Sequence, residues 1–219
     1  AFLGAEPVLS KFACITKEKF DIQAQQWRTK KRIILDSKES SVKHASNREY
    51  RSVLPRVIDA IHEGMAALDD CDEEERLELM VLDATDAFWE VPLHPKERKF
   101  YVGRVRGQYL VYLRTAQGSR GAPLSWAAVF GLICRLLQAM FYDGSAFGTR
   151  IPFTALFNVY VDDPLLILRG TDIARNRAAA IIVLAWRVLG IGLAYAKAQL
   201  SDCVDWIGWT LNCYSSRAM

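Results

Sequence analysis

Three aspartates set against apolar runs constrain this chain more than any other feature. Asp83 closes the run LELMVLD, and Asp162 and Asp163 interrupt FNVYVDDPLLIL. Such runs read as buried strands, and aspartate is a poor strand residue, so its placement needs a physical reason. Leu77 to Leu82 reads as a strand that stops at Asp83. Phe157 to Val161 and Leu165 to Leu168 read as a hairpin turning at Asp162-Asp163-Pro164. If the two elements are neighbours in one sheet, three carboxylates gather at one edge. Left alone they repel, and some protonate. Hard divalent cations remove that penalty, because Mg²⁺ binds one or two carboxylates together with substrate phosphates. The structural alternative makes Asp83 a helix cap and the other two ordinary turn residues. For either segment by itself that alternative is the better reading.

The rest of the chain supplies strands and two long helices. Residues 1–20 carry little signal. Lys30 to Leu35 reads as basic residues entering a short strand, ended by the polar run Asp36 to Ser41. Tyr50 to Leu68 has helical spacing that puts Val53, Val57, Ile58, Ile61 and Met65 on one face. Tyr101 to Leu113 reads as a hairpin with Gly107 at its turn. The loop QGSRGAP opens a helix from Leu124 to about Phe141. A second helix over 174–189, capped by Thr171 or Asp172, precedes a short segment at 191–195 and an apolar strand at 204–211. The apolar stretch Ala178 to Ala196 is long enough to span a bilayer. Arg187, Gly190 and Gly192 interrupt it, so a helix packed on a core is the expectation. The order predicts an α+β fold, a mostly antiparallel sheet covered on one side by helices.

Charge is informative by its distribution, since the net value is only +3. Between Arg28 and Arg56 nine Lys or Arg face three acids, Asp36, Glu39 and Glu49, whereas Asp69 to Glu75 holds six acids in seven positions. A basic lobe before an acidic, solvated linker suggests a surface facing a polyanion. On charge alone an ordinary solvated face is as good a reading. The five cysteines are scattered and never spaced as CxxC, which argues for free thiols in a reducing compartment rather than a disulfide framework or a zinc site. His44, His62 and His94 have no ligand spacing. No signal peptide opens the chain, and Ala1 in first position suggests an excised fragment.

Taken in order, the motifs resemble a reverse transcriptase of the retroviral and LTR-retrotransposon type. LDATDAFWEVPLHP is similar to the first palm motif of that family, and YVDD at Tyr160 to Asp163 to its catalytic hairpin. Between them QGSRGAPLSW resembles the loop and helix under template and nucleotide. LGIGLAYAKAQL resembles the fourth palm motif, VDWIGWTL the primer-grip hairpin and KKRIILDSKESSV the basic fingers motif. The six motifs span residues 30 to 211.

The resemblance implies a right-hand polymerase palm, an antiparallel sheet backed by helices, with a fingers subdomain and with the thumb missing. Residues 1–76 would be fingers, 77–92 palm, 93–116 returning fingers, and 117–219 palm ending in the primer-grip hairpin. Asp83, Asp162 and Asp163 would be catalytic and would hold two Mg²⁺ ions (Mn²⁺ as a substitute) with the carbonyl of Ala84. Lys197 would stand near the leaving pyrophosphate as its proton donor. Lys31, Arg32, Ala84, Phe88, Gln117 and Gly118 would bind the nucleotide, with Lys30 competing with Lys31 for one role. An Arg suits bidentate phosphate contact, and glycine permits close backbone approach. A bulky ring at Phe88 would clash with a ribose 2′-hydroxyl, so deoxynucleotides are the expected substrates. Trp206, Ile207, Gly208 and Trp209 would grip the primer. For Asp86 a catalytic role and a cap or surface acid stand level, as do a phosphate contact and a solvated charge for Arg120. Pro164 after the two aspartates departs from the aliphatic residue more usual there.

Partners implied by the resemblance are an RNA or DNA template with its primer, deoxynucleoside triphosphates, and the thumb and RNase H domains of a larger polyprotein, with no membrane. The setting would be intracellular, in cytoplasm or nucleus. Two rivals stay open: an RNA-dependent RNA polymerase, and a nucleic-acid-binding module that keeps the fold without turnover.

Overall fold

The computed structural model describes residues 6–21, 25–46, 50–145, 148 and 151–213. In chain order its elements are β1 (Leu9–Asp21), β2 (Gln26–Asp36), the single turn α1 (Val42–Ala45), α2 (Val57–Asp69), β3 (Arg76–Val81), β4 (Val102–Val105), β5 (Gln108–Val111), α3 (Ala122–Met140), β6 (Ala155–Tyr160), β7 (Asp163–Gly170), α4 (Asp172–Val188), β8 (Gln199–Ser201), β9 (Cys203–Trp206) and β10 (Trp209–Asn212). The chain divides into two compact units, Ala1–Arg51 with Phe88–Trp126, and Ser52–Ala87 with Ala127–Met219.

The first unit is built on a sheet of order β2-β1-β4-β5. β1 and β2 form a long antiparallel ribbon from Lys11↔Asp36 to Asp21↔Gln26, and β4 joins β1 in parallel at Leu9↔Val102. β1 is a full strand over residues whose pattern carries little signal. Most of its described side chains are exposed, so no buried face imprints an alternation on the strand. Arg106 and Gly107 both have positive φ, the two-residue turn that suits the twist of a hairpin, and it joins β4 to β5 as expected.

The second unit is organised by a sheet of order β6-β7-β3-β8. β7 is the centre of its core: Leu165, Leu166 and Leu168 are fully buried. Burial on both faces makes a strand read as a continuous apolar run. One face packs Leu77, Leu79, Val81, Leu165 and Ile167 with Ala60 and Ala67 of α2 and with Val204 and Trp206 of the β9–β10 hairpin. On the other face α4 docks, and the buried Arg175 donates from Nε to Glu78 at 3.3 Å and from Nη1 to the carbonyl of Gly170 at 2.5 Å. Cover therefore comes from both sides, not from one side as expected, because a strand apolar on both faces must be shielded on both.

Helix α2 shows a different face from the one its large residues suggest. Ile58, Ile61, Met65 and the preceding Val53 are exposed. Val57, Ala60, Gly64, Ala67 and Leu68 turn inward instead, and a methyl on Gly64 would sit 3.9 Å from Ile167 Cδ1. Small residues let the helix axis approach the sheet closely. At its end Asp70 accepts from Nη1 of the buried Arg169 at 3.4 Å and from the N–H of Ile151. The acidic run is thus partly structural, whereas the expectation made it a solvated linker.

Helix α4 starts at Thr171, whose hydroxyl accepts the N–H of Ala174 at 3.3 Å, as the sequence predicts. Helix α3 is long and apolar enough to cross a membrane by length and composition. Its Trp126, Phe130, Cys134 and Leu137 are buried, while Val129, Leu132, Leu136 and Met140 are exposed. From α3 the side chain of Gln138 accepts the outward N–H of Phe157 on β6 at 3.1 Å. The expected apolar strand at 204–211 is two strands, because Ile207 and Gly208 both turn through positive φ and pair Trp206 with Trp209.

Candidate active site

The aspartate-bearing turns meet through the backbone of the second unit. β3 pairs with β7 down to Val81↔Leu165. Just beyond, the N–H of Leu82 donates to Pro164 at 3.3 Å and the N–H of Ala84 to Asp162 at 2.9 Å. Asp83 and Asp162 are therefore held at one end of the sheet by hydrogen bonds that flank them. Pro164 has no N–H to give, and its carbonyl still serves the β3 side. The hairpin closes on the pair Tyr160↔Asp163. Its turn residues are Val161 and Asp162, and Asp163 is the first residue of β7. Val161 takes φ 56°, a conformation that costs a β-branched residue free energy and that collects at functional sites.

Charge in this cluster is uneven. Asp83 is paired with the ammonium of Lys197, whose Nζ donates to Oδ2. Burial, and then the neighbouring charge of Asp162, push the Asp163 carboxyl up from the usual range. Among the described residues no three His, Cys, Asp or Glu side chains converge as a ready-made metal cage. The available donors are the hard carboxylate oxygens of two adjoining turns. Asp86 is exposed, at φ 53°.

The segment after α4 is tied to the Asp83 turn by an antiparallel bridge, Ala84↔Leu193. The N–H of Thr85 donates to Gly192 at 2.8 Å and that of Ala194 to Asp83 at 2.9 Å. The hairpin expected to grip the primer is anchored as well. Trp206 is fully buried and its indole N–H donates to the carbonyl of Asp163 at 2.9 Å. Ile207 is half-buried, and Gly208 and Trp209 are exposed. Gln199, which sequence reasoning passed over, bonds both backbone groups of Asp205 through its amide, at 2.8 and 2.9 Å.

The expected nucleotide-binding residues, apart from Ala84, lie in the first unit. Lys31 and Arg32 are exposed on β2, opposite Thr16 and Ile15. Successive strand residues point to opposite faces, so these two cations do not share one. The face of Arg32 is shared instead by Lys17, whose β1 position pairs with Lys30. Lys17 was missed because β1 was not read as a strand. The side chain of Lys30 lies outside the described residues. Gln117 and Gly118 press on the same ribbon: the N–H of Leu35 donates to Gln117 at 3.1 Å. Gly118 has φ 95°, and a Cβ there would come 2.4 Å from Ile34 Cγ2 and 2.7 Å from the carbonyl oxygen of Leu35. Phe88 is half-buried in the 3₁₀ turn Ala87–Glu90, and its carbonyl accepts the hydroxyl of Thr115. Arg120 donates to the carbonyl of Lys43 at 3.3 Å. His94 caps the 3₁₀ turn that follows it, its Nδ1 accepting the N–H of Lys96.

The fold is thus an antiparallel sheet with carboxylates at the junction of its central strands in the second unit, and a basic ribbon in the first. Solved structures share it. Prototype foamy virus protease–reverse transcriptase, as the CSH mutant, matches with a TM-score of 0.59 at 15% identity, over 92% of this chain and 23% of that one. The foamy viral protease–reverse transcriptase dRH in complex with double-stranded DNA gives 0.57 at 14% identity, over 90% of this chain and 28% of that one. The native prototype foamy virus enzyme gives 0.54 at 18%, over 94% and 24%. The chain thus spans about a quarter of the length of these proteins. No curated protein sequence matches. The family model for reverse transcriptase (RNA-dependent DNA polymerase) matches residues 16–211. This chain belongs to the reverse transcriptase family.

Proposed function

We propose that the chain is the fingers-and-palm portion of an RNA-directed DNA polymerase that adds deoxynucleotides to a primer 3′-hydroxyl with two Mg²⁺ ions. One observation carries the reading: the Ala84 N–H to Asp162 carbonyl bond that joins two aspartate-bearing turns. Asp83 and Asp162, with Asp163 and the Ala84 carbonyl, would hold the metal. The donor set fits Mg²⁺, which takes a few carboxylate oxygens and leaves its other positions to phosphates and water. Bound there, the two ions would supply charge neutralisation at the attacking and leaving oxygens.

The remaining roles fall to the chain's own groups. Lys197 would give a proton from Nζ to the departing pyrophosphate. Arg32, with Lys31 or Lys17, would bind the triphosphate, and Gln117 and Gly118 would line the nucleotide. Phe88 would exclude a 2′-hydroxyl by bulk. Trp206 to Trp209 would set the primer terminus. The first compact unit corresponds in this reading to fingers and the second to palm, with thumb and RNase H supplied by the rest of a retrotransposon- or retrovirus-like polyprotein inside the cell. Backbone-directed binding of template and primer would weaken as salt rises.

Primer extension on an RNA template with Mg²⁺ and deoxynucleotides tests the proposal, wild type beside Asp162→Asn. Extension by the wild type that is lost in the variant is expected. Bound primer–template without extension by either protein would instead favour a binding module.

A further inference from the structure

We propose that Gly192 is a positioning residue: its missing side chain lets the segment carrying Lys197 dock on the Asp83 turn. This rests on the reading of Asp83 and Lys197 given above and deepens it.

The docking is a three-residue seam. Thr85 and Ala194 give their N–H groups to Gly192 and Asp83, on either side of the Ala84↔Leu193 bridge. Leu193 is buried at its centre. From there the chain needs only one short turn to reach Lys197, whose own N–H donates to Ala194 at 2.9 Å. The ammonium of Lys197 thus reaches the Asp83 carboxylate because the seam fixes where its turn begins.

A side chain at position 192 would press on that seam at Thr85. A Cβ there would lie 2.2 Å from Thr85 Oγ1, and the next nearest atoms, Thr85 Cβ and O, at 3.6 and 3.7 Å. Gly192 is absent from the positive-φ glycines, so space alone, and not backbone conformation, demands glycine here. Overpacking of this kind is relieved by moving a neighbour. Here either Thr85 leaves its present χ1 rotamer or the two backbones of the seam part, and the second course is the one proposed. The clash also has a single source. Removing the Thr85 hydroxyl leaves the other contacts at ordinary van der Waals distance, so Thr85→Ala makes room for a methyl at 192.

Amide hydrogen exchange reads the seam directly, at Thr85 and Ala194, in the 219-residue chain. Gly192→Ala is expected to speed exchange at both amides by about tenfold or more. It should also lower kcat for nucleotide addition much more than it raises the KM for nucleotide. The double variant Gly192→Ala/Thr85→Ala is expected to restore slow exchange and kcat together. A merely destabilised protein would lose protection throughout and would gain nothing from the second substitution. Unchanged exchange at both amides in Gly192→Ala, or a double variant as impaired as the single one, would overturn the proposal. A wild type without nucleotide addition would sink the functional reading, and the exchange arm would still decide whether Gly192 sets the seam.

Discussion

The indole N–H of Trp206 donates to the backbone carbonyl of Asp163 across 2.9 Å. This bond ties the β9–β10 hairpin to the first residue after the Val161–Asp162 turn. The hairpin cannot tilt without pulling on Asp163. Because Trp206 is also part of the second unit's core, the position of the turn and the packing of the core are one constraint.

Trp206→Phe tests this constraint. An aromatic ring is kept, but the N–H donor goes together with part of the buried volume, and the Asp163 carbonyl loses this partner. A loss of about 1–3 kcal/mol in unfolding free energy is expected for such an orphaned acceptor, read by urea denaturation followed by circular dichroism. No change in the urea midpoint would mean that the bond holds nothing in place.

Asp163 makes a pH prediction whose sign is set by burial first and the charge of Asp162 second. Its folded pKa is raised, so its stabilising contribution is complete below the ordinary aspartate pKa of about 3.9 and is lost as pH rises through the raised value. Near neutral pH the ionised group is a net cost. Asp163→Asn should therefore raise Tm near neutrality, with the gain vanishing below about pH 4. If Asp163 serves a metal, the same variant loses activity while gaining stability. Thermal melts across pH check the first half, and primer extension the second.

Gly118→Ala should be costly for two reasons at one position. The backbone at φ 95° disfavours any Cβ, and the added carbon would meet the carbonyl oxygen of Leu35 at 2.7 Å. A backbone atom cannot swing aside as a side-chain tip can. A loss of about 1–3 kcal/mol is expected, with slackened contact between the loop and β2. Chemical denaturation gives the first. Faster amide exchange at Leu35, whose N–H donates to Gln117, gives the second.

The thiols should react in a set order. Cys14 is exposed on β1, whereas Cys134 is buried and burial pushes its thiol up to about 12. Cys213 is pushed up to about 11, by burial first and then by Asp202. Since the thiolate is the reactive species, alkylation in the native state should label Cys14 first and Cys134 last. Peptide mass mapping over time would show it, and early labelling of Cys134 would contradict the packing of α3.

What could be read in the sequence follows from where burial leaves a trace. β7 was legible because both its faces are covered, which forces an uninterrupted apolar run, and β3 because its run is broken only by Glu78, the partner of Arg175. The turn residues between them were legible because aspartate is out of place beside such runs. β1 left no trace, since its pairing with β2 is a matter of backbone bonds under exposed Lys and Glu side chains. With it went Lys17, which only the register places on the face of Arg32. Helix α2 was found, but its packed face was misjudged: Ala60, Gly64 and Ala67 contribute closeness rather than bulk, and hydrophobic spacing counts bulk. The Thr85–Gly192 approach joins residues distant in sequence, and no local pattern encodes it. Residue roles came from the motifs in order, and the chemistry of each remains with the experiments above.

The bond from Phe157 to Gln138 has a consequence for how this protein keeps company with itself. β6 is the outermost strand on its side of the sheet, and an uncovered edge strand offers a template on which another chain can add. Here the side-chain amide of a helix occupies the acceptor position that a neighbouring strand would fill. Growth of the sheet by a second copy would first have to displace the Gln138 side chain. At the opposite side β8 is three residues long, too short to recruit much of a partner. Both edges of this sheet thereby resist the addition of a strand from a second copy.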